Sequence, residues 1–181
     1  MDFDENKVKE FIKSNFKFDR YTGVGSRDRP KEIGELIEQI AYSLNKYGGL
    51  ALWTGDASGC DTDFTKGHKQ YSENNILALG KKDCTPEAQE ITKSVLAPEH
   101  WANCNEHARK LLGRNSHQVL GRDLKSPTSR VICWTPEGKP IGGTQVAIRL
   151  AWKYEIAVDN LFFKHVQDFY RKGLMLDIFP F

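Results

Sequence analysis

Gly23-Val24-Gly25-Ser26-Arg27, Thr54-Gly55-Asp56-Ala57-Ser58-Gly59-Cys60-Asp61 and Ile141-Gly142-Gly143-Thr144 are three small glycine-rich turns, each following an extended-looking segment and each opening a helical pattern. A helix that begins at a strand's carboxyl end points unpaired backbone N–H groups and its positive dipole end outward. Three such turns on one edge of a sheet predict an anion cradle of the kind that holds nucleotide phosphates in α/β domains. One such turn would only reverse the chain; the repeated strand-to-helix context is what carries the reading.

Outward from the turns, apolar residues mark the elements they join. Val8, Phe11, Ile12 and Phe16 give a leading amphipathic helix over about 4–16, within a leading segment 1–18. Arg20–Val24 reads as a first strand. Ile33, Leu36, Ile37, Ile40, Ala41 and Leu44 form a helical stripe that starts near Pro30 and stops at Gly48-Gly49. Leu50–Trp53 and Ile76–Leu79 read as strands around a helix from about Cys60 to Tyr71. Pro86 and Pro98 bracket a helix, and Trp101, Ala108, Leu111 and Leu112 suggest another that ends near Gly113. Arg130–Trp134 and Ile156–Asn160 read as strands around a helix over Gly142–Tyr154 whose apolar face is Val146, Ala147, Leu150 and Ala151. Leu161–Lys172 closes the pattern, and the apolar tail 174–181 is expected to pair at an edge or pack on a partner. Alternating strands and helices predict an α/β fold, Rossmann-like and doubly wound, with a mostly parallel sheet, helices on both faces and the ligand crevice at the strands' carboxyl ends.

Composition sets the frame. The chain has 181 residues, 39% of them hydrophobic, and a formal charge of +2. That is enough for one ordinary core, and without a Pro/Ser-rich or charge-block linker one domain over 1–181 is expected. The small charge argues against a nucleic-acid coat, although Arg109, Lys110, Arg114, Arg122, Lys125 and Arg130 crowd one stretch, suited to phosphate contact or to a solvated surface. The acidic start Met1-Asp2-Phe3-Asp4-Glu5 lacks an apolar leader core, and no run reaches the roughly 18 apolar residues of a membrane span, so a cytoplasmic, membrane-free protein is expected. Cys60, Cys84, Cys104 and Cys133 form no C-x-x-C pair, which predicts reduced thiols.

The first turn, the Gly-x-Asp helix start at Gly55 to Cys60-Asp61 and the stretch Gly142 to Ala151 together resemble the SLOG superfamily, the Rossmann-like group of the Lonely Guy phosphoribohydrolases and the DNA-processing protein A core. The resemblance runs from Tyr21 to Leu161 and is closest to small stand-alone bacterial or phage members. It implies a pocket for a nucleotide or an ADP-ribose-like derivative, serving a sensor, a sequestering protein or an N-glycosidic hydrolase. The expected partners are that small molecule and further copies of the chain.

Residue by residue, Gly25 would let the backbone approach a phosphate, Ser26 offers a hydroxyl, and Arg27 can grip phosphate oxygens or be a plain surface arginine. Thr54, Gly55, Ser58 and Gly59 belong to the second turn. Gly142 and Gly143 free amides at a helix start, while Thr144 caps that helix or binds phosphate. Arg114 reads as a second phosphate contact and Asn115 as a polar anchor, against the alternative of a surface loop. Asp61 caps its helix or binds ribose hydroxyls.

Two departures from the Lonely Guy and DNA-processing patterns stand out. Gln145, Val146 and Ala147 follow Gly142-Gly143-Thr144, so the Lonely Guy catalytic glutamate is missing, and hydrolysis would have to use Asp61, Asp56 or Asp63 as its carboxylate. Asp56 replaces a glycine usual in the DNA-processing group, so either Mg²⁺ participates or this turn contacts the sugar. No metal site is assigned: His100, Cys104 and His107 share a helical face but show no fourth ligand, and ordinary helix positions explain them better. Trp53 and Trp134 could stack on a base or fill the core. A single-stranded-DNA-binding recombination mediator is the alternative from another class, and an assembly module that has lost its ligand is a third.

Overall fold

The computed structural model describes residues 2–55 and 57–178. Five strands, β1 (Arg20–Gly25), β2 (Ala51–Thr54), β3 (Ile76–Ala78), β4 (Arg130–Trp134) and β5 (Ala157–Asn160), form an all-parallel sheet in the order β3-β2-β1-β4-β5. Among the described residues eight α-helices flank it: α1 (Glu5–Asn15), α2 (Lys31–Gly48), α3 (Cys60–Lys69), α4 (Pro86–Lys93), α5 (Pro98–Asn103), α6 (Glu106–Leu120), α7 (Thr144–Lys153) and α8 (Lys164–Gly173). This is the Rossmann-like doubly wound architecture. The chain grows from β1 through β2 to β3 on one side and then crosses back to β4 on the other, so the strand order reverses between β1 and β4. At that point loops diverge to opposite faces and leave a crevice at the carboxyl ends.

Alternation along the central strands feeds two cores. Tyr21 of β1 and Ile132 and Trp134 of β4 pack with α1, α2, α3 and α8, where Ile37, Ile40, Leu44, Phe64 and Tyr170 are buried. Val24, Val131 and Cys133 point to the other face, against Val119 and Leu120 of α6 and Val146, Ile148 and Leu150 of α7. Strands buried on both faces read as continuous apolar runs, which is why Arg130–Trp134 was legible to the residue. Caps set several helix ends. Asp4 accepts from the amides of Asn6 and Lys7, and Asn105 from that of Ala108 at 2.8 Å. Gly49, left-handed at φ 61, terminates α2.

Three expectations are corrected. The helix expected from Trp101 to Gly113 is two helices: α5 ends at Asn103, and α6 restarts behind the Asn105 cap and runs through Gly113 to Leu120. Gly113 is a packing glycine there, since a Cβ would lie 2.5 Å from Cys84 Sγ and 3.0 Å from Gln89 Cγ. Arg114 and Asn115 therefore stand in mid-helix rather than in a surface loop. The tail neither pairs at an edge nor awaits a partner over its described part, because Leu174, Met175 and Leu176 are buried in this chain's own core; residues 179–181 lie outside the described residues. No helix among the described residues is long and apolar enough to cross a membrane, and all four cysteines are free.

Candidate functional site

At the switch point lies a crevice of about 830 Å³, walled by the β1–α2 turn, Gly55 and Ala57, the 136–145 turn, α5 and α6. Gly25, Ser26, Arg27, Gly55, Asp61, Arg114, Asn115, Gly142, Gly143 and Thr144 all line it, so ten expected site residues meet in one place. Thr54, Ser58 and Gly59 do not. Thr54 ends β2 fully buried, Ser58 is exposed elsewhere, and Gly59 sits behind the first turn. Neither Trp53 nor Trp134 reaches the crevice: Trp134 is in the core and the Arg20 guanidinium lies 5.1 Å over the Trp53 ring. Asp56 lies outside the described residues.

The three turns differ in what their amides do. In the first, Gly25 N–H donates to Asp61 Oδ1 at 3.2 Å and Ser26 N–H donates to Trp134 O at 3.0 Å. Those two amides are therefore taken, and Gly25 is a glycine because a Cβ would stand 2.6 Å from Cys60 Sγ and 2.8 Å from Trp134 O. In the second, Cys60 N–H at the start of α3 donates to Ser26 O at 3.2 Å. The α3 terminus thus braces the first turn. In the third, the amides of Gly142, Gly143, Thr144 and Gln145 have no protein acceptor among the described residues, and no side chain caps α7. Thr144 is the first residue of that helix, so the capping alternative for it is set aside.

Asp61 joins the turns. Besides Gly25 it accepts from Gly55 N–H at 3.0 Å and Ala57 N–H at 3.4 Å. It is 4% exposed, and burial raises its pKa from 3.8 to about 6 against the pull of Arg114 and those three amides. A carboxylate so engaged acts as a clamp between backbones, closer to the capping alternative than to sugar binding or catalysis. Asp63 is likewise occupied, held by Arg29 through two bonds of 2.5 and 2.6 Å. Among the described residues no group of three or more His, Cys, Asp or Glu side chains gathers to hold a metal ion.

Two guanidinium groups line the same crevice as the open amides. Arg27 is exposed on the crevice and its side chain has no protein partner among the described residues. Arg114 Nη1 donates to Leu79 O at 3.1 Å, and its guanidinium lies against Gly55, where a Cβ would come within 1.7 Å of it. Asn115 Nδ2 donates to Gly143 O at 2.8 Å and so ties α6 to the third turn.

Gln118, Asp28 and Lys81 also line the crevice and were not singled out. Gln118 is 1% exposed. The orientation that satisfies it turns its oxygen to Gly55 N–H (2.9 Å) and Arg114 Nη1 (2.5 Å) and its nitrogen to Asn115 Oδ1 (3.0 Å). Its position one helical turn beyond Arg114 was the available signal.

The chain matches no protein-family model, no curated protein and no solved structure. The chemistry of the crevice is therefore argued from its own residues.

Proposed function

We propose that this chain binds a nucleotide or nucleotide-derived phosphate ester in the crevice between β1 and β4, as a small SLOG-type binding protein. The observation that carries this reading is the group of amides at the start of α7 that find no acceptor among the described residues, set in the same crevice as Arg27, which has no partner among them either, and the braced Arg114. A phosphate there would satisfy the helix-start donors and accept charge-assisted bonds from the guanidinium groups. Binding rather than hydrolysis is the better-supported activity, because Asp61 and Asp63 already serve backbone amides and Arg29. Among the described crevice residues Asp28 is the carboxylate without a protein partner, and it sits next to Arg27 on the exposed rim.

Calorimetry with a panel of nucleoside mono- and diphosphates tests the reading. Arg27→Ala is expected to weaken binding about ten- to a hundredfold, the loss of one charge-assisted contact of roughly 1.5–3 kcal/mol. Equal affinity in wild type and variant for nucleotides that do bind would remove Arg27 from the site. Mass spectrometry of molecules released on denaturing the purified protein would identify a retained ligand directly.

The single-strand-binding alternative draws little support from the basic stretch. Lys110 pairs with Glu106, Arg122 with Asp83 and Arg130 with Asp159, while the Arg109 guanidinium lies 5.4 Å over the Trp101 ring. Oligonucleotide binding is expected to be weak and to vanish near physiological salt, with each neutralised phosphate contributing about −0.7 to the log–log salt slope. Sub-micromolar retention of a single-stranded 30-mer in physiological salt, lost in a Lys110→Ala/Arg122→Ala double variant, would overturn the nucleotide reading.

A further inference from the structure

We propose that a second cavity, between α1, the last turn of α8 and the chain that follows it, binds a single-chain anionic amphiphile: a fatty-acid-like molecule with one apolar chain and one anionic head. This cavity shares no lining residue with the crevice between β1 and β4, so the proposal stands apart from the nucleotide reading.

The end of α8 packs tightly on α1. Gly173 is what lets them close, since an added Cβ would fall 2.2 Å from Phe11 Cε2 and 2.4 Å from its Cδ2 and Cζ. The Phe11 ring is thereby held against the α8 backbone, with the Phe169 ring 4.9 Å away between centroids. Beside it lies a cavity of about 510 Å³, within the range that encloses a small organic molecule. Phe11, Met175 and Ile178 give it an apolar floor, and Phe11 and Ile178 are only half-buried. Bare apolar area gathered in a concave site is area that a ligand would cover.

Charge and backbone say what the rest of the ligand is. The N–H groups of Leu174, Met175, Leu176 and Ile178 already donate to the carbonyls of Tyr170, Lys172, Arg171 and Met175. The cavity also lies at the carboxyl end of α8, the negative end of its dipole. It is therefore the reverse of the α7 start, with no cradle for a phosphate and no spare amides along this turn for an extended peptide to pair with. Positive charge comes from side chains instead: Lys7, Arg171 and Lys172 line the cavity against Asp177 alone. Asp177 is taken by Arg171 at 3.1 Å, and Lys7 reaches Asp4 only at 3.7 Å. Lys172 is exposed and makes no ion pair or hydrogen bond through its side chain among the described residues. Three cations against one carboxylate leave two in excess over an apolar floor, the complement of an apolar chain that ends in an anion.

The test is calorimetry with hexanoate, octanoate and decanoate below their micellar concentrations, and with 1-octanol as the chain without the charge. In wild type, affinity should rise about fivefold or more with every two methylenes, and octanoate should bind about fivefold or more tighter than 1-octanol. Lys172→Gln should weaken octanoate and decanoate about three- to tenfold while leaving 1-octanol as in wild type, and Ile178→Gln should weaken all of them about three- to tenfold. Lys172→Gln is an exposed change that should melt within about 2 °C of wild type, so it carries the test if Ile178→Gln does not fold. No binding by wild type, affinity indifferent to chain length or to the head, or affinity unchanged in both variants would overturn the proposal. Binding to phosphatidylglycerol vesicles without binding of the free carboxylates would assign the surface to a membrane and overturn it too. So would binding that appears only after residues 179–181 are deleted, which would give the cavity to the chain's own tail.

Discussion

Gly59→Ala should be among the most damaging single substitutions near the crevice, although Gly59 does not line it. Its backbone stands at φ 87, ψ −129, a region that side chains other than glycine's rarely enter. An added Cβ would also fall 2.4 Å from Arg27 O, 2.5 Å from Arg27 Cα and 2.6 Å from Ser26 O. All three are backbone atoms, so no rotamer change relieves the overlap; the first turn would have to move and break the Cys60 N–H to Ser26 O bond that braces it. Strain and the lost bond together imply a loss on the order of 3 kcal/mol or more. For a chain of this length that corresponds to a fall in Tm of roughly 6–12 °C. Urea unfolding with an unchanged slope would measure it. Gly143→Ala is the control: φ is −66 there and nothing lies within 4 Å of the new Cβ, so stability should hold within about 0.5 kcal/mol. Equal stability of the two variants would mean that the second turn does not brace the first as described.

That contrast shows what the sequence could and could not disclose. Periodicity and turn chemistry are local, and they located β4, the apolar face of α7 and the three turns that converge on the crevice. The use made of each turn is not local. Ser26 N–H is consumed by Trp134 O, 108 residues downstream, because β1 and β4 are neighbours in the sheet. The α3 start is consumed by the first turn for the same kind of reason. Three turns that look alike in sequence therefore divide into one with open donors and two that hold each other. Gly113 failed as a stop signal on similar grounds: its meaning is set by Cys84 and Gln89 of the neighbouring segment, not by its own helix. Arg114 and Asn115 were recognisable as polar residues with a task, whereas Gln118 gains its role from being one turn further along a helix that was expected to have ended.

The second large effect is expected at Asp61 and is read through pH. Its carboxyl group is buried among three amide donors with Arg114 as its cationic neighbour, and burial outweighs them, lifting its pKa from 3.8 to about 6. The folded protein thus holds this proton more tightly than the unfolded chain. Stability from this group is full below about pH 4 and declines as pH rises through about 6. At about 1.36 kcal/mol per tenfold change in proton affinity, the decline is roughly 3 kcal/mol. Asp61→Asn cannot ionise; its amide oxygen can serve Gly55 and Ala57 while its NH₂ group faces Gly25 N–H, a loss of about 1 kcal/mol. The stability of wild type minus that of Asp61→Asn should therefore fall between pH 4 and pH 6.5 and flatten above it, a difference that cancels the other carboxylates. A difference that rises with pH would show that the amides and Arg114 dominate burial. The same group would report on the proposed ligand: a phosphate bound at the α7 start would place a second anion in the crevice and raise the proton affinity of Asp61 further. Near pH 7 wild type should then take up more protons on binding nucleotide than Asp61→Asn does, a difference that cancels the ionisation of the ligand's own phosphate and is read from the dependence of the calorimetric heat on the buffer's ionisation enthalpy. Equal proton uptake by wild type and Asp61→Asn would place the titrating group elsewhere.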